Sequence, residues 1–282
     1  MTSSAIHGDC CDVLPTLDSG SYDLIFTDPP YPEVKRSYGT VTPEAWAIMM
    51  DTVMTESQRL LTSTGSAVFV LQANSEKVGN VRPWLWDYLS RWTHEWNMVQ
   101  DVFWWNTAAP PTVHCRRSFG LMSPSLKVCA WFGAPDCYRD QAQVLWEESD
   151  RNCAMRAAVR AGKDWSGKRH DQHQRYRDTT GTSASEERGG VTPFNVIPVP
   201  NTASRKVGVG HEGQTPEALT HWWLRYACPP EGRVLDPFVG TGTTLRVAGQ
   251  LGLTALGIEQ NEEWYRVAVD SETEQNTPER YG

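Results

Sequence analysis

The sequence lacks the marks of several common protein classes. No apolar run approaches the roughly 20 residues that a membrane-spanning helix needs, and the seven cysteines form no C-x-x-C pair. The first residues, MTSSAIHGDCCDVL, lack the basic-then-apolar order of a signal peptide. A net charge of -8 argues against a uniformly basic nucleic-acid-binding surface. We therefore expect a reduced, cytoplasmic protein with neither a metal site nor a membrane anchor.

Seven apolar, β-rich runs recur along the 282 residues. They are continuous rather than alternating, as in strands that are covered on both faces. Helix patterns lie between several of them, which predicts a mostly parallel α/β sheet with helices on both sides. The length suits one large domain, or one domain with a substantial insertion. The runs are SAIHGD, DLIFTD, SAVFVLQ, DVFWWN, LKVCAWFG, GRVLDPF and TALGIE.

Two helix starts carry the same signal of threonine, proline and glutamate, at residues 42–44 and 215–217. Threonine caps helices well, proline suits the first turn, and the acid lies near the positive end of the helix dipole. We predict a helix after each threonine. The second helix is predicted to pack an apolar face on the core, formed by Leu219, Trp222, Trp223 and Tyr226.

The second strand ends in an unusual tetrapeptide, Asp28, Pro29, Pro30 and Tyr31, called the DPPY segment below. Prolines donate no backbone hydrogen bond, so the chain must leave the sheet where this strand ends. The segment therefore places a carboxylate, a rigid turn and an aromatic ring at one strand end.

A second constellation lies near the C-terminus, in GRVLDPFVGTGTTLRVAGQLGLTALGIEQ. A strand ends at Asp236, a glycine turn follows at residues 240–242, a helix opens, and a second strand closes with Glu259. Glycines allow a ligand to approach the backbone, the helix N-terminus offers free N–H groups, and the final acid can accept hydrogen bonds from a ribose. This pattern predicts a nucleotide-binding βαβ unit.

The turn favours S-adenosylmethionine over a dinucleotide. A dinucleotide fingerprint requires a third glycine for close helix packing, where this sequence has Thr243 and Thr244. Asp236 is unfavourable beside a pyrophosphate, but it suits a ligand that carries an amine or a sulfonium. A dehydrogenase is the weaker alternative, because no hydride-transfer constellation accompanies the turn.

The DPPY segment and Asp-Pro-Phe-x-Gly-x-Gly-Thr-Thr together resemble the DNA amino-methyltransferases. Their order, with the cofactor loop last, is similar to the β group of that family. Flanking matches are Gly8-Asp9-Cys10, HEGQTP at residues 211–216, and Glu259 with QNEEWYRVA. The resemblance implies a Rossmann-like methyltransferase sheet with an inserted target-recognition region. It divides the chain into a catalytic half (1–134), the insertion (135–200) and a cofactor-binding half (201–282).

The resemblance also implies roles for individual residues. The DPPY segment would hold the target amine in a base flipped out of DNA. Asp28 and the Pro29 carbonyl would accept its hydrogens, and Tyr31 would stack on the ring. Carbon-5 cytosine chemistry would require a nucleophilic cysteine in a Pro-Cys pair, which the sequence lacks, so the cysteines are predicted to pack. Predicted cofactor-binding residues are Asp9, Asp28, Gln214, Thr215, Asp236, Phe238, Gly240, Gly242, Thr243 and Glu259.

The polar middle of the chain, about residues 150–190, has no counterpart among these motifs. Basic residues outnumber acids between residues 151 and 177, and aromatic rings are interleaved with them. This composition favours a contact with double-stranded DNA, and a solvent-exposed helix with a loop is the alternative. Predicted DNA-binding residues in this region are Lys168, Arg169 and Arg175. Arg116 and Arg117 are predicted to contact phosphates from a second loop, residues 106–120, which resembles the family's loop on the DNA side; a solvated basic loop is the alternative.

Several alternatives remain open from the sequence. Aspartate at the first DPPY position favours adenine N6, with cytosine N4 as the nearest alternative. An RNA amino-methyltransferase usually has the cofactor loop first, and a catalytically silent nucleic-acid-binding protein would not need both motifs. The resemblance also suggests a homodimer and a cognate restriction enzyme as partners, in a bacterium or a phage-infected host.

Overall fold

The computed structural model describes residues 3–34, 39–109, 118–147, 190–201 and 214–273, except for the side chains of residues 271–273. The chain divides into two compact units: residues 1–139 with 195–282 form the larger, and residues 140–194 the smaller. In the smaller unit a short 3-10 helix spans Gln141–Val144, and Trp146 pairs with Val191 in an antiparallel bridge. The strands and α-helices described below belong to the larger unit.

Ten strands and six α-helices lie in the described part of the larger unit. The strands are β1 (Ser4–His7), β2 (Tyr22–Thr27), β3 (Leu61–Leu71), β4 (Ser75–Lys77), β5 (Asn80–Val81), β6 (Met98–Trp105), β7 (Leu126–Gly133), β8 (Val196–Pro198), β9 (Arg233–Asp236) and β10 (Thr254–Glu259). The helices are α1 (Cys10–Val13), α2 (Pro43–Leu60), α3 (Trp84–Glu95), α4 (Glu217–Ala227), α5 (Thr243–Gln250) and α6 (Glu262–Thr273).

Eight strands form one sheet in the order β1-β10-β9-β2-β3-β7-β6-β8, and β4 pairs with β5 in a separate hairpin. Strand β7 runs antiparallel to its neighbours β3 and β6, whereas the other pairings in this sheet are parallel. Each of the seven apolar runs overlaps one of these strands. The predicted α/β class with a mostly parallel sheet is therefore confirmed.

Strands β2 and β9 lie side by side at the switch point of the sheet. From β9 the chain passes through α5 to β10 on one side, and from β2 it passes through α2 to β3 on the other. Such a switch point leaves a crevice at the carboxyl ends of the strands, where ligands bind in open α/β sheets. Asp28 follows β2 and Asp236 ends β9, so the acids of both motifs lie at this crevice.

Alternate residues of the sheet pack into two separate cores, one on each face. Leu24 and Phe26 of β2 belong to the core that contains residues of α4 and α5, whereas Ile25 belongs to the core that contains residues of α2 and α3. All three side chains are buried. Both faces of the sheet exclude water, which is why the strand sequences are continuously apolar.

The two predicted helix starts differ in the structure. Helix α2 begins as expected, because the Thr42 hydroxyl accepts a hydrogen bond from the Ala45 N–H at 3.2 Å. Helix α4 begins at Glu217 with Pro216 at the capping position and no side-chain cap, so the prediction of Thr215 as its cap is wrong. The Thr215 hydroxyl is instead directed to the carboxylate of Asp28, 3.3 Å away.

The apolar face predicted for α4 is present. Leu219 and Trp223 are fully buried, and Trp222 and Tyr226 are partly buried against the same core. Strand β8, the β4–β5 hairpin and helix α3 were not anticipated. No described helix is both long and apolar enough to cross a membrane.

Candidate active site

Asp28 lies at the centre of the crevice, directly after β2. Its side chain is 10% exposed, and three donors among the described residues contact its carboxylate. The Tyr31 hydroxyl donates to Oδ1, while Lys127 Nζ and the Thr215 hydroxyl donate to Oδ2 at 2.9 and 3.3 Å. The carboxylate is thus held in one orientation by groups from three separate parts of the chain.

Within the described part of the chain, some carbonyl groups in and just after the DPPY segment accept hydrogen bonds from the protein, and one does not. The Trp46 indole donates to the Pro30 carbonyl at 2.6 Å, and the Asn74 amide donates to the Pro32 carbonyl at 2.6 Å. These bonds fasten the turn to α2 and to the segment after β3. Among the described residues the Pro29 carbonyl accepts no hydrogen bond, so it can accept one from a ligand.

Tyr31 is anchored at both its hydroxyl and its ring. Besides its bond to Asp28, the hydroxyl lies 3.3 Å from the Val70 carbonyl. The ring stacks on Trp84 with centroids 6.4 Å apart, and Lys127 Nζ lies 5.1 Å from the centre of the tyrosine ring. The aromatic ring of the DPPY segment is therefore held beside the carboxylate.

Asp236 joins the two motif strands rather than pointing to open solvent. It is 4% exposed. Its Oδ1 accepts hydrogen bonds from the Thr27 hydroxyl at 2.6 Å and the Phe238 N–H at 3.1 Å, and its Oδ2 accepts from the Thr244 hydroxyl at 2.6 Å. Burial raises the pKa of this carboxyl to about 6, against the lowering effect of these hydrogen bonds.

The raised pKa of Asp236 predicts a pH-dependent stability. The folded protein holds the proton more tightly than the unfolded chain, so this contribution is complete below the unfolded pKa of 3.8 and is lost as the pH rises through about 6. Asp236→Asn removes the titration. We expect the free energy of unfolding of the variant, relative to the wild type, to rise by about 2.4 kcal/mol between pH 4 and 7.

Urea denaturation across that pH range measures this difference. The exposed Asp87 provides the matched control, since Asp87→Asn should follow the wild-type pH dependence. A wild-type pH dependence in Asp236→Asn would show that the buried carboxyl does not titrate in this range.

The glycine turn after β9 is closed by the acid at the end of β10. Gly240 and Gly242 have positive φ angles of 54° and 81°, which glycine adopts without strain. Glu259 accepts hydrogen bonds from the Gly240 N–H at 3.1 Å and from the Asn261 N–H at 2.8 Å. Burial raises the pKa of Glu259. The acid therefore fixes the turn as well as facing the crevice.

Gly257 on β10 lets the turn approach the sheet. A Cβ atom at this position would lie 2.7 Å from Cβ of Val239, which is bonded through its own N–H to the Ile258 carbonyl. We expect Gly257→Ala to lower the free energy of unfolding by about 1–3 kcal/mol, because the glycine turn must move. Urea denaturation measures this loss, and wild-type stability in the variant would contradict the close approach.

Two cavities open at the crevice and share a wall. The larger, about 340 Å³, runs from Gly8 and Asp9 past Glu259 to Trp264. The smaller, about 50 Å³, lies among Gln214, Thr215, Asp236 and the start of α5. Residues on both walls are Asp28, Phe238 and Gly240. The pair fits a ligand with a nucleoside in the larger cavity and a short polar chain in the smaller, joined beside Asp28.

The predicted residues gather at these cavities to different degrees. Asp9 lines the larger cavity but also caps α1, since it accepts from the Cys11 N–H at 2.8 Å. The Gln214 amide donates to the Thr243 hydroxyl at 3.1 Å beside the smaller one. Gly242 caps α5 at the turn. The predicted DNA-binding residues Arg116, Arg117, Lys168, Arg169 and Arg175 lie outside the described residues.

Several residues of the site were missed from the sequence. Lys127 had a usable signal, because a lysine inside the apolar run LKVCAWFG needs a partner for its charge. Thr27 carried no local signal, since a threonine at a strand end is a common core residue. Trp264 lies within the matched segment QNEEWYRVA, but no role was predicted for it.

The fold and the paired cavities are those of an α/β protein with room for a nucleoside-containing ligand beside a carboxylate. Comparison with known proteins is more specific. A family model described as DNA methylase, for N6 and N4 methyltransferases, matches residues 22–270. The chain therefore belongs to the N6/N4 DNA amino-methyltransferase family, whose cofactor is S-adenosylmethionine.

Two curated relatives agree with this membership. The type II methyltransferase M.ScaI of Streptomyces caespitosus is 28% identical over 276 residues, covering 93% of this chain and 79% of the relative. The type II methyltransferase M.HinfI of Haemophilus influenzae is 25% identical over 287 residues, covering 94% and 67%.

Solved structures share the fold. The cytosine-N4-specific PvuII DNA methyltransferase superposes with a TM-score of 0.72 at 17% identity, covering 96% of this chain and 86% of that one. M1.HpyAVI, solved in complex with S-adenosylmethionine, gives a TM-score of 0.57 at 16% identity, covering 98% and 100%.

Proposed function

We propose that this DNA methyltransferase transfers a methyl group to the exocyclic N6 of adenine in double-stranded DNA. The observation that carries the proposal is the oriented Asp28 carboxylate, which lines both cavities and is followed in the chain by a Pro29 carbonyl that accepts no hydrogen bond among the described residues. These two acceptors suit the two hydrogens of an amino group. Aspartate at this position favours adenine, by resemblance to the family.

The proposed reaction requires the protein to make the adenine N6 amine more nucleophilic. The lone pair of adenine N6 is delocalised into the ring, and acceptors on its two hydrogens localise that pair and aim it. S-adenosylmethionine supplies an electrophilic methyl group on a sulfonium. The nitrogen forms a bond to the methyl carbon as the carbon–sulfur bond breaks, and the surplus proton leaves to water or to Asp28.

The turn contributes by being rigid before the base arrives. Trp46 and Asn74 hold the carbonyls of Pro30 and Pro32, so the Pro29 carbonyl keeps its direction without reorganisation. An amino group inside a duplex cannot reach the crevice, so the base must leave the helix. Tyr31 is proposed to contact the face of the flipped base.

The cofactor is proposed to occupy both cavities. Glu259 would accept from the ribose hydroxyls, Asp9 would lie near the adenine of the cofactor, and Phe238 would line the wall between the cavities. Gln214, Thr215 and Thr243 would surround the methionine part in the smaller cavity. Asp236 is proposed to hold the glycine turn in place beside the cofactor, because its oxygens accept hydrogen bonds from Thr27, Phe238 and Thr244.

Nucleoside mass spectrometry tests the target base. DNA from cells that express the protein is digested to nucleosides and compared with DNA from cells that express Asp28→Ala. We expect N6-methyladenine in the wild-type sample and a far lower amount in the Asp28→Ala sample. N4-methylcytosine instead would keep the acceptor chemistry and overturn the choice of adenine.

The inserted region 135–200 is proposed to recognise the DNA sequence, together with the basic residues near positions 116 and 168–175. A homodimer and a cognate restriction enzyme are proposed partners from the same family resemblance. Sedimentation of the purified protein, with and without DNA, tests the dimer.

A further inference from the structure

Lys127 is the one charged residue of the apolar strand β7, an inner strand of the sheet. Its side chain is 16% exposed, and β7 is paired on both sides, with β3 and β6. A charged group at such depth is costly unless it is paired and hydrogen-bonded. The strand pairing fixes its backbone, so the position of the ammonium is set by the sheet rather than by a loop.

The ammonium is bonded to the two polar groups of the DPPY segment. Nζ lies 2.9 Å from Asp28 Oδ2 and 2.8 Å from the Tyr31 hydroxyl. Two aromatic rings also contact it, with the centre of Tyr31 at 5.1 Å and that of Trp104 at 4.9 Å. Trp104 is itself fixed, because its indole donates to the Val199 carbonyl at 2.8 Å. These contacts hold the cation on one side of the carboxylate.

The donors around Asp28 restrict how it can bind a further group. An ionised carboxylate offers about four lone-pair directions. Among the described residues, Tyr31, Lys127 and Thr215 occupy three of them. One direction is left for an incoming amine, and Lys127 decides which one by holding Oδ2 and the Tyr31 hydroxyl together.

We propose that Lys127 is a positioning residue for methyl transfer: it fixes the Asp28 carboxylate and the Tyr31 hydroxyl so that one acceptor direction faces the amine. This inference rests on the proposed role of Asp28. Lys127 acts through Asp28 rather than on the base or the cofactor. Its loss therefore slows transfer within the assembled complex and leaves the binding of either partner nearly intact.

Single-turnover methylation by Lys127→Met and Lys127→Arg tests the proposal. Methionine keeps the length of the side chain without its charge, and we expect the transfer rate to fall about 10- to 100-fold, the cost of a misplaced catalytic group. The cofactor Kd and the DNA KM should change by less than about threefold, because the lysine is not proposed to contact either the cofactor or the DNA. Lys127→Arg restores a cation and should recover most of the rate.

Three controls make the result decisive. Arg233 also lies over a ring, that of Tyr22, but it is exposed and lies at the amino end of β9, the opposite end from Asp236. Arg233→Met therefore removes a ring-contacting cation outside the crevice and should keep the wild-type rate. Lys127→Gln is measured alongside, in case the methionine variant does not fold. Asp28→Ala is run in the same assay.

The outcomes separate the two proposals. Wild-type transfer by a folded neutral variant at position 127, with Asp28→Ala inactive, overturns the role of Lys127 alone. Wild-type transfer by Asp28→Ala overturns the proposed function as well. A raised KM with an unchanged transfer rate in Lys127→Met would make the lysine a binding residue, which also contradicts the proposal.

Discussion

Asp28→Ala is expected to lower the single-turnover rate of DNA methylation by about 100- to 1,000-fold, the effect of removing one preorganised group that stabilises a transition state. The carboxylate accepts hydrogen bonds from Tyr31, Lys127 and Thr215, so its direction is fixed before substrate binds. Alanine removes the acceptor for the amine and leaves the Lys127 ammonium without its counter-ion. Radiolabelled methyl transfer to DNA measures the rate.

Binding of the cofactor separates a catalytic role for Asp28 from a structural one. We expect Asp28→Ala to bind S-adenosylmethionine within about tenfold of the wild type, a loss of roughly 1.4 kcal/mol or less. Asp23 lies at the other end of β2 and accepts from the Arg233 N–H at 2.8 Å, so Asp23→Ala is the matched control. Equal rates for Asp28→Ala and the wild type would exclude the proposed role.

Glu259→Ala is expected to raise the cofactor Kd about 100-fold, since hydrogen bonds to a charged group contribute roughly 1.5–3 kcal/mol each. The alanine loses the proposed ribose acceptor. It also frees the N–H groups of Gly240 and Asn261, so the glycine turn loses its anchor. Isothermal titration calorimetry measures the affinity.

The matched control for this prediction lies one turn further along the chain. Glu262 is exposed and pairs with Arg266 on the surface of α6, so Glu262→Ala should bind the cofactor as the wild type does. Methylation by Glu259→Ala should recover at saturating cofactor, because the residue acts in binding. A cofactor Kd that stays at the wild-type value would place the ribose elsewhere.

Local patterns predicted seven strands of the sheet and the glycine turn after β9. The seven apolar runs were recognisable because both faces of the sheet are covered, which leaves no alternation to obscure them. The turn after β9 was recognisable because its glycines, helix start and closing acid lie within one βαβ unit. Strand β8 was not, because three residues ending in proline give too short a signal.

Contacts between distant parts of the chain could not be predicted from local patterns. Thr27 and Asp236 are hydrogen-bonded across 209 positions of sequence. At Thr215 a distant contact overrides a local pattern. Its local sequence is that of a helix cap, but Asp28 competes for its hydroxyl and leaves α4 without a side-chain cap. Only the folded sheet brings these groups together.

The proposed reaction is the direct transfer of a methyl group from S-adenosylmethionine to an exocyclic amine held by Asp28. Its most direct test uses cofactor with a trideuterated methyl group, purified protein and duplex DNA, followed by mass spectrometry of the nucleosides. We expect the intact label on the N6 amine of adenine for the wild type, and labelling about 100- to 1,000-fold slower by Asp28→Ala. Label on a ring carbon or on the protein, or equal labelling by both proteins, would contradict it.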